Sequence, residues 1–197
     1  MRILAIHQNF PGQYKHLLGH LGTSGKHEII GVGQHRRVDI PGVKTILYKP
    51  SRVIRPDAHH YLKTTENAVL NGQAVLRVCM DLRNKGFRPD VILGHAGWGE
   101  TLYLKDVYPD VPLIGYFEFF YRAVGADVGF DPEYPASLDD KLRIRTWNMP
   151  HLLALDGADF GQTLTTWQRN QVPQRYHDMI HVIHRPDAWS SARVRHR

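Results

Sequence analysis

Residues 88–117, RPDVILGHAGWGETLYLKDVYPDVPLIGYF, hold an apolar run, a glycine-rich turn, an amphipathic segment and a second apolar run. Pro89-Asp90 leads into the all-apolar stretch at 91–93, residues 100–107 read as a short helix, and 112–117 (PLIGYF) as the next strand. Strands that are apolar throughout, rather than alternating, are covered on both faces, as in a parallel sheet flanked by helices. The segment is therefore a β-α-β unit.

The flanks repeat that pattern. Toward the N-terminus, RILAI at 2–6 is a strand, Phe10-Pro11-Gly12 ends a polar turn, and 13–21 is a helix with Leu17, Leu18 and Leu21 at helical spacing. Strands follow at 27–32 and 44–48, then a loop at 49–57 containing Pro50 and Pro56. The longest helix is expected from Ala58 to about Lys85, with Gly72 as a point of bending or splitting and Gly86 as its C-terminal cap. Beyond 117, a helix runs from a cap at Ser137 or Asp139 to about Leu155, a short strand covers 158–161, and Thr165 or Thr166 caps TWQRNQ. Pro173 stops that helix, and HVIH at 181–184 is the last strand. The order predicts an α/β fold: a single doubly wound, Rossmann-like domain over 1–184 with a mostly parallel sheet, and a basic, irregular tail at 185–197.

Composition narrows the functional classes. The 197 residues are 42% hydrophobic and 22% charged, and no apolar run approaches a membrane span. The first ten residues lack the long apolar core of a signal peptide, so a cytoplasmic protein is expected. A single cysteine, Cys79, excludes an internal disulfide framework and a cysteine-rich zinc site. Of the net charge of +6, half lies from Arg185 onward, where four arginines face Asp187. A basic tail of this kind is more often a solvated end than a nucleic-acid contact, and no nucleic-acid partner is expected.

Ligands of doubly wound folds lie at the carboxyl ends of the strands, near the switch point. Three loops occupy such positions: 7–12, 95–99 and 118–122. In the first, Gly12 permits close backbone approach, although both the GxGxxG fingerprint and the P-loop are absent. In the second, His95 offers a hydrogen bond and Trp98 a flat apolar face for a sugar ring; a packed Trp beside a surface His fits the same letters. In the third, Glu118 stands among five aromatics and either holds a hydroxyl-rich ligand or pairs with Arg122. The sequence has 13 histidines, with His16/His20 and His177/His181 at helical spacing. Neither pair has a carboxylate or cysteine to complete a tetrahedral set, so no metal site is expected.

Three blocks carry a resemblance: RILAIHQNFPGQYKHL at 2–17, RPDVILGHAGWGETLYLKDVYPDVPLIGYFEFFYR at 88–122, and TTWQRNQVPQRYHDMIHVIH at 165–184. Together they resemble the N-terminal domain of the glycosyltransferase family 4 group, retaining enzymes of the GT-B architecture, and the likeness extends over nearly all of 1–184. The resemblance implies an acceptor-side domain facing a donor-binding domain, a nucleotide sugar as substrate, no metal or other cofactor, and a glycan or lipid-linked acceptor. It implies further that Pro11 and Gly12 approach the donor phosphate and sugar. His95 would contact the donor sugar at the reacting centre, and Trp98, Gly99, Glu100 and Glu118 would line the acceptor side. Such enzymes continue past the VIH strand into a second domain, whereas this chain reads His184-Arg185-Pro186-Asp187 and stops at Arg197. The expectation is half a transferase, completed by a second polypeptide or by self-association, with room for a peripheral contact at the inner membrane. The alternative is a non-catalytic carbohydrate- or nucleotide-binding module.

Overall fold

Four of the five residues of the first strand, β1 (Arg2–Ile6), are buried, so both of its faces are covered. In the computed structural model, which describes residues 1–126 and 128–184, Ile3 and Ala5 pack into one apolar cluster and Leu4 and Ile6 into another. The remaining strands are β2 (Glu28–Gly33), β3 (Val43–Leu47), β4 (Val91–His95), β5 (Leu113–Tyr116), β6 (Phe160–Thr163) and β7 (Ile180–Val182). They form one sheet in the order β3-β2-β1-β4-β5-β6-β7, with every neighbouring pair parallel. The α/β, Rossmann-like reading of the sequence is thus what the chain adopts. The chain winds outward from β1 to β3, then returns to lay β4 against the other side of β1. The switch point lies between β1 and β4, where the doubly wound fold opens a crevice.

The helices are α1 (Lys15–Thr23), α2 (Lys63–Asn84), α3 (Leu104–Val107), α4 (Leu138–Trp147), α5 (Met149–Gly157) and α6 (Thr166–Gln171). α1 covers one face of the sheet through Leu18, together with Phe10 and Tyr14. α2 and α3 cover the other through Val75, Cys79, Leu82, Leu104 and Val107, which meet Leu4, Ile6, Val32 and Ile92. Each such buried aliphatic side chain contributes about 1.5–3 kcal/mol. A third cluster, joining Phe117 and Phe120 to Leu155, Val172 and Ile180, covers the β5–β7 edge.

Several boundaries differ from the sequence reading, each for a local reason. α2 begins at Lys63 rather than near 58 and runs unbroken past Gly72. That glycine is a contact, not a bend: a Cβ there would lie 2.8 Å from the Gly99 carbonyl oxygen. Gly86 does end the helix, with φ +82° and the Phe87 N–H donating to the Leu82 carbonyl. The helix expected from about 137 to 155 is two. Ser137 caps α4 through a capping box with Asp140, and Pro150, which has no N–H to donate, falls at the start of α5 after the break at Asn148. Thr165 caps α6 through a second capping box, with Gln168. The basic tail expected at 185–197 lies outside the described residues.

Candidate functional site

β4 extends two residues beyond its apolar run because Gly94 and His95 pair with Gly115 and Tyr116 of β5. His95 is therefore the last residue of its strand, as His7 is the first after β1, and the two rings stand 4.6 Å apart across the switch point. Both are 2% exposed. Trp98 stacks on His95 at 4.4 Å and 16° and meets His7 edge-on at 5.6 Å.

A directed set of hydrogen bonds orients this group. The Asn9 N–H donates to His7 Nδ1 (3.0 Å), which leaves the proton on Nε2, facing Gln13 Oε1 at 2.5 Å. Gln13 Nε2 then donates to Glu118 Oε2 (3.2 Å). From the other side, the Gly97 N–H donates to His95 Nδ1 (3.1 Å), so His95 Nε2–H points at the same Glu118 oxygen, 3.1 Å away. One carboxylate oxygen thus gathers both arms, while Oε1 has no bond among the described residues. The bond from His95 holds the Glu118 carboxyl below its ordinary range, so it is ionised at neutral pH and able to accept from a hydroxyl. Burial, reinforced by neighbouring His95, lowers His7 to about 4, so its ring is neutral there.

The glycines of these loops make room for the rings. Gly12 has φ +48°, and a Cβ on it would fall 2.3 Å from His7 Nε2. Its N–H closes the turn onto the Asn9 carbonyl (3.0 Å), while the Pro11 carbonyl accepts from Tyr14 N–H. Gly99, at φ +97°, lets the loop press on α2, where a Cβ would meet the Ala68 carbonyl oxygen at 2.2 Å. The neighbouring Asn71 Nδ2 holds the Trp98 carbonyl at 3.0 Å. Glu100 lies behind the loop at 0% exposure, and Tyr48 OH donates to its Oε1 at 2.6 Å. Its Oε2 is buried without a hydrogen bond among the described residues. Burial pushes its carboxyl up to about 7, against the opposing effect of the Tyr48 bond.

Of the residues singled out in the sequence, the structure brings His95, Trp98 and Glu118 into one cluster and sets Gly12 against His7. Gly99 and Glu100 stand behind it, on α2 and Tyr48. His7 and Gln13 complete the cluster and were not among the named candidates. The available signal was positional: His7 is the first polar residue after an apolar strand. Among the described residues no group of three or more His, Cys, Asp or Glu is arranged to hold a metal ion, and no helix is long and apolar enough to cross a membrane.

Residues 25–185 match the model of the glycosyl transferase family 4 group. No curated protein sequence matches the chain. Among solved structures it is similar to a UDP-glucosyltransferase from Polygonum tinctorium capable of glucosylating indoxyl. The TM-score is 0.60 at 6% identity, over 100% of this chain and 54% of that one. It is similar also to UGT2 of Phytolacca americana, complexed with UDP-2fluoro-glucose and pterostilbene, at a TM-score of 0.55 and 8% identity over 93% of this chain and 54% of that one. A third is a protein from Listeria monocytogenes described as a UDP-N-acetylglucosamine 2-epimerase, at 0.51 and 13%, over 92% and 44%. At these identities the likeness is one of fold, and the chain spans about half the length of each structure.

Proposed function

The chain belongs to the glycosyl transferase family 4 group, and on that premise we propose that the crevice between β1 and β4 is the acceptor-side wall of a sugar-transfer site. The observation that carries the reading is the convergence of His95 and Gln13 on one oxygen of an ionised, partly exposed Glu118, beside the Trp98 ring. A carboxylate with one oxygen fixed and the other open suits a hydroxyl-rich ligand. In the proposed reaction a nucleotide sugar is the donor and a glycan or lipid-linked hydroxyl the acceptor, with retention at the anomeric carbon. The acceptor oxygen forms its bond to that carbon as the bond to the diphosphate breaks, and the hydroxyl proton passes to the departing phosphate oxygen on the same face. Glu118 orients the incoming hydroxyl, and His95 offers its Nε2–H to a donor-sugar hydroxyl that displaces Glu118 from it. Trp98 and Gly99 shape the acceptor side, with Glu100 supporting them from behind, and the Pro11–Gly12 loop lies on the donor-phosphate side. Charge on the leaving diphosphate falls to a donor-binding half, supplied by further polypeptide or a second copy; such stabilisation is electrostatic work. The proposal includes a cytoplasmic location, with lipid-linked acceptors reached at the membrane surface.

Calorimetric titration with UDP- and GDP-sugars tests the reading. We expect one of them to bind and its affinity to fall at least about tenfold in His95→Ala, the loss of a buried hydrogen bond, and to stay within about twofold in Glu118→Gln, whose carboxylate faces the acceptor. Equal affinity in wild type and His95→Ala would contradict it.

A further inference from the structure

We propose that a second concavity, lined by Arg122, Lys141, Arg145 and Arg175, binds an anionic phosphoryl group of the acceptor; the assignment to the acceptor rests on the sugar-transfer reading, whereas the anion site does not. The cavity measures about 450 Å³ and brings together the segment after β5, helix α4 and the residues beyond Pro173. Among the described residues no Asp or Glu lines it.

The cations are left uncompensated by the way α4 spends its acids. Asp139 is engaged by Tyr61 OH and His60 Nε2, and Asp140 by the Ser137 cap and by Arg143 at 2.6 Å. Lys141 and Arg145, one helical turn apart, have no ion pair among the described residues, and neither has Arg122 or Arg175. Like charges at that spacing disfavour a helix, a cost with no structural return here. Arg122 is held in advance: its Nε donates to the Gln171 carbonyl (2.7 Å) and its guanidinium lies 5.6 Å from the Phe120 ring centre. Its two terminal nitrogens make no bond among the described residues, which leaves a fork suited to phosphate oxygens. The floor is rigid as well. Buried Asn148 clamps Tyr121 from both sides, accepting from its N–H at 2.9 Å and donating to its carbonyl at 2.8 Å.

The same segment joins this pocket to the crevice. Arg122 lies four positions after Glu118, at most about 14 Å of extended chain away. His151 packs against this segment edge-on, its ring 5.4 Å from that of Tyr121 and 6.5 Å from that of Phe120. A ligand with a phosphoryl group in the basic pocket therefore has its sugar or lipid-proximal hydroxyl within reach of Glu118. A phosphate on a soluble glycan and the diphosphate of a lipid carrier present the same chemistry.

Titration of the isotope-labelled chain with inorganic pyrophosphate, followed by NMR, tests the site. We expect the resonances of Tyr121, Arg122 and Asn148 to shift, and the apparent Kd to rise at least tenfold in Lys141→Ala/Arg145→Ala, whose side chains are exposed and whose loss spares the fold. Lys26→Ala/Arg88→Ala removes the same charge at the far end of the sheet and should leave the Kd within about twofold. Equal weakening by both double variants, or no shift around the pocket, would overturn the proposal. Flotation with phosphatidylcholine vesicles containing phosphatidylglycerol separates the sources: capture lost in the first double variant and competed by pyrophosphate indicates a lipid phosphate, and pyrophosphate binding without capture a soluble one. If the pocket binds pyrophosphate while Trp98 is unmoved by every nucleotide sugar, the anion site stands and the sugar-transfer reading falls.

Discussion

Replacing Gly99 with alanine should cost the fold about 2–5 kcal/mol and release Trp98 from its stack on His95. Two penalties add. Alanine at φ +97° occupies backbone space that L side chains avoid, which costs about 1–2 kcal/mol. Its Cβ would also lie 2.2 Å from the Ala68 carbonyl oxygen and 2.4 Å from the Ala68 Cα, backbone atoms of a long helix that cannot swing aside. Overpacking of that kind costs a further 1–3 kcal/mol or so. For a chain of this size the melting temperature should fall by about 10 °C. Gly19 is the control: it lies within α1 at ordinary φ, and a Cβ there would meet nothing within 4 Å. Gly19→Ala should stabilise by up to about 1 kcal/mol through helix propensity. Equal melting temperatures for the two variants would show that the 97–99 loop does not press on α2 as described.

The second large effect is a pH dependence centred on Glu100. Its folded carboxyl is raised to about 7 against an ordinary 4.5, so the folded state holds the proton more tightly than the unfolded chain. Between those values stability must fall as pH rises, by about 3 kcal/mol in all. His7 and His151 act in the opposite sense. Burial lowers each from 6.5 to about 4, so each contributes stability that is complete above 6.5 and is lost as pH drops toward 4. Wild type should therefore be most stable near pH 6–7. Glu100→Gln keeps an acceptor for Tyr48 and cannot ionise, so its advantage over wild type should grow from near zero at pH 4.5 to about 3 kcal/mol at pH 8. Urea denaturation across that range reads the difference directly, and a difference independent of pH would contradict the buried, perturbed carboxyl.

The parallel sheet was legible because the runs at 3–6, 91–93 and 112–117 are apolar throughout, and the capping residues Ser137, Thr165 and Gly86 mark helix ends by local chemistry. What could not be read depends on partners distant in sequence. Gly94 and His95 become strand only because Gly115 and Tyr116 pair with them, and Gly72 looks like a helix breaker until Gly99 is seen against it. The same holds for the site. The strand-end positions of His95 and Trp98 followed from the fold class, but the bond that binds Glu118 to Gln13 spans 105 residues, and the one that binds Glu100 to Tyr48 spans 52. The loop at 7–12 followed from the fold class too, but His7 was not singled out within it, because a polar residue after a strand reads as the beginning of a turn. The basic pocket draws on three segments, and Lys141 and Arg145 look like an ordinary solvated helix face until the acids beside them are found engaged elsewhere.

The most direct test of the central claim is to map where a nucleotide sugar touches the chain. Proton–nitrogen correlation spectra of the labelled protein, recorded with increasing UDP- or GDP-sugar, should show the largest shifts at the Trp98 indole, the His7 and His95 rings, the Gln13 side-chain amide and the 97–99 backbone. Those at Trp98 and the 97–99 backbone should vanish in His95→Ala. Shifts confined to other faces of the sheet, with the β1/β4 crevice silent at saturating sugar, would contradict the claim that this crevice is a sugar site.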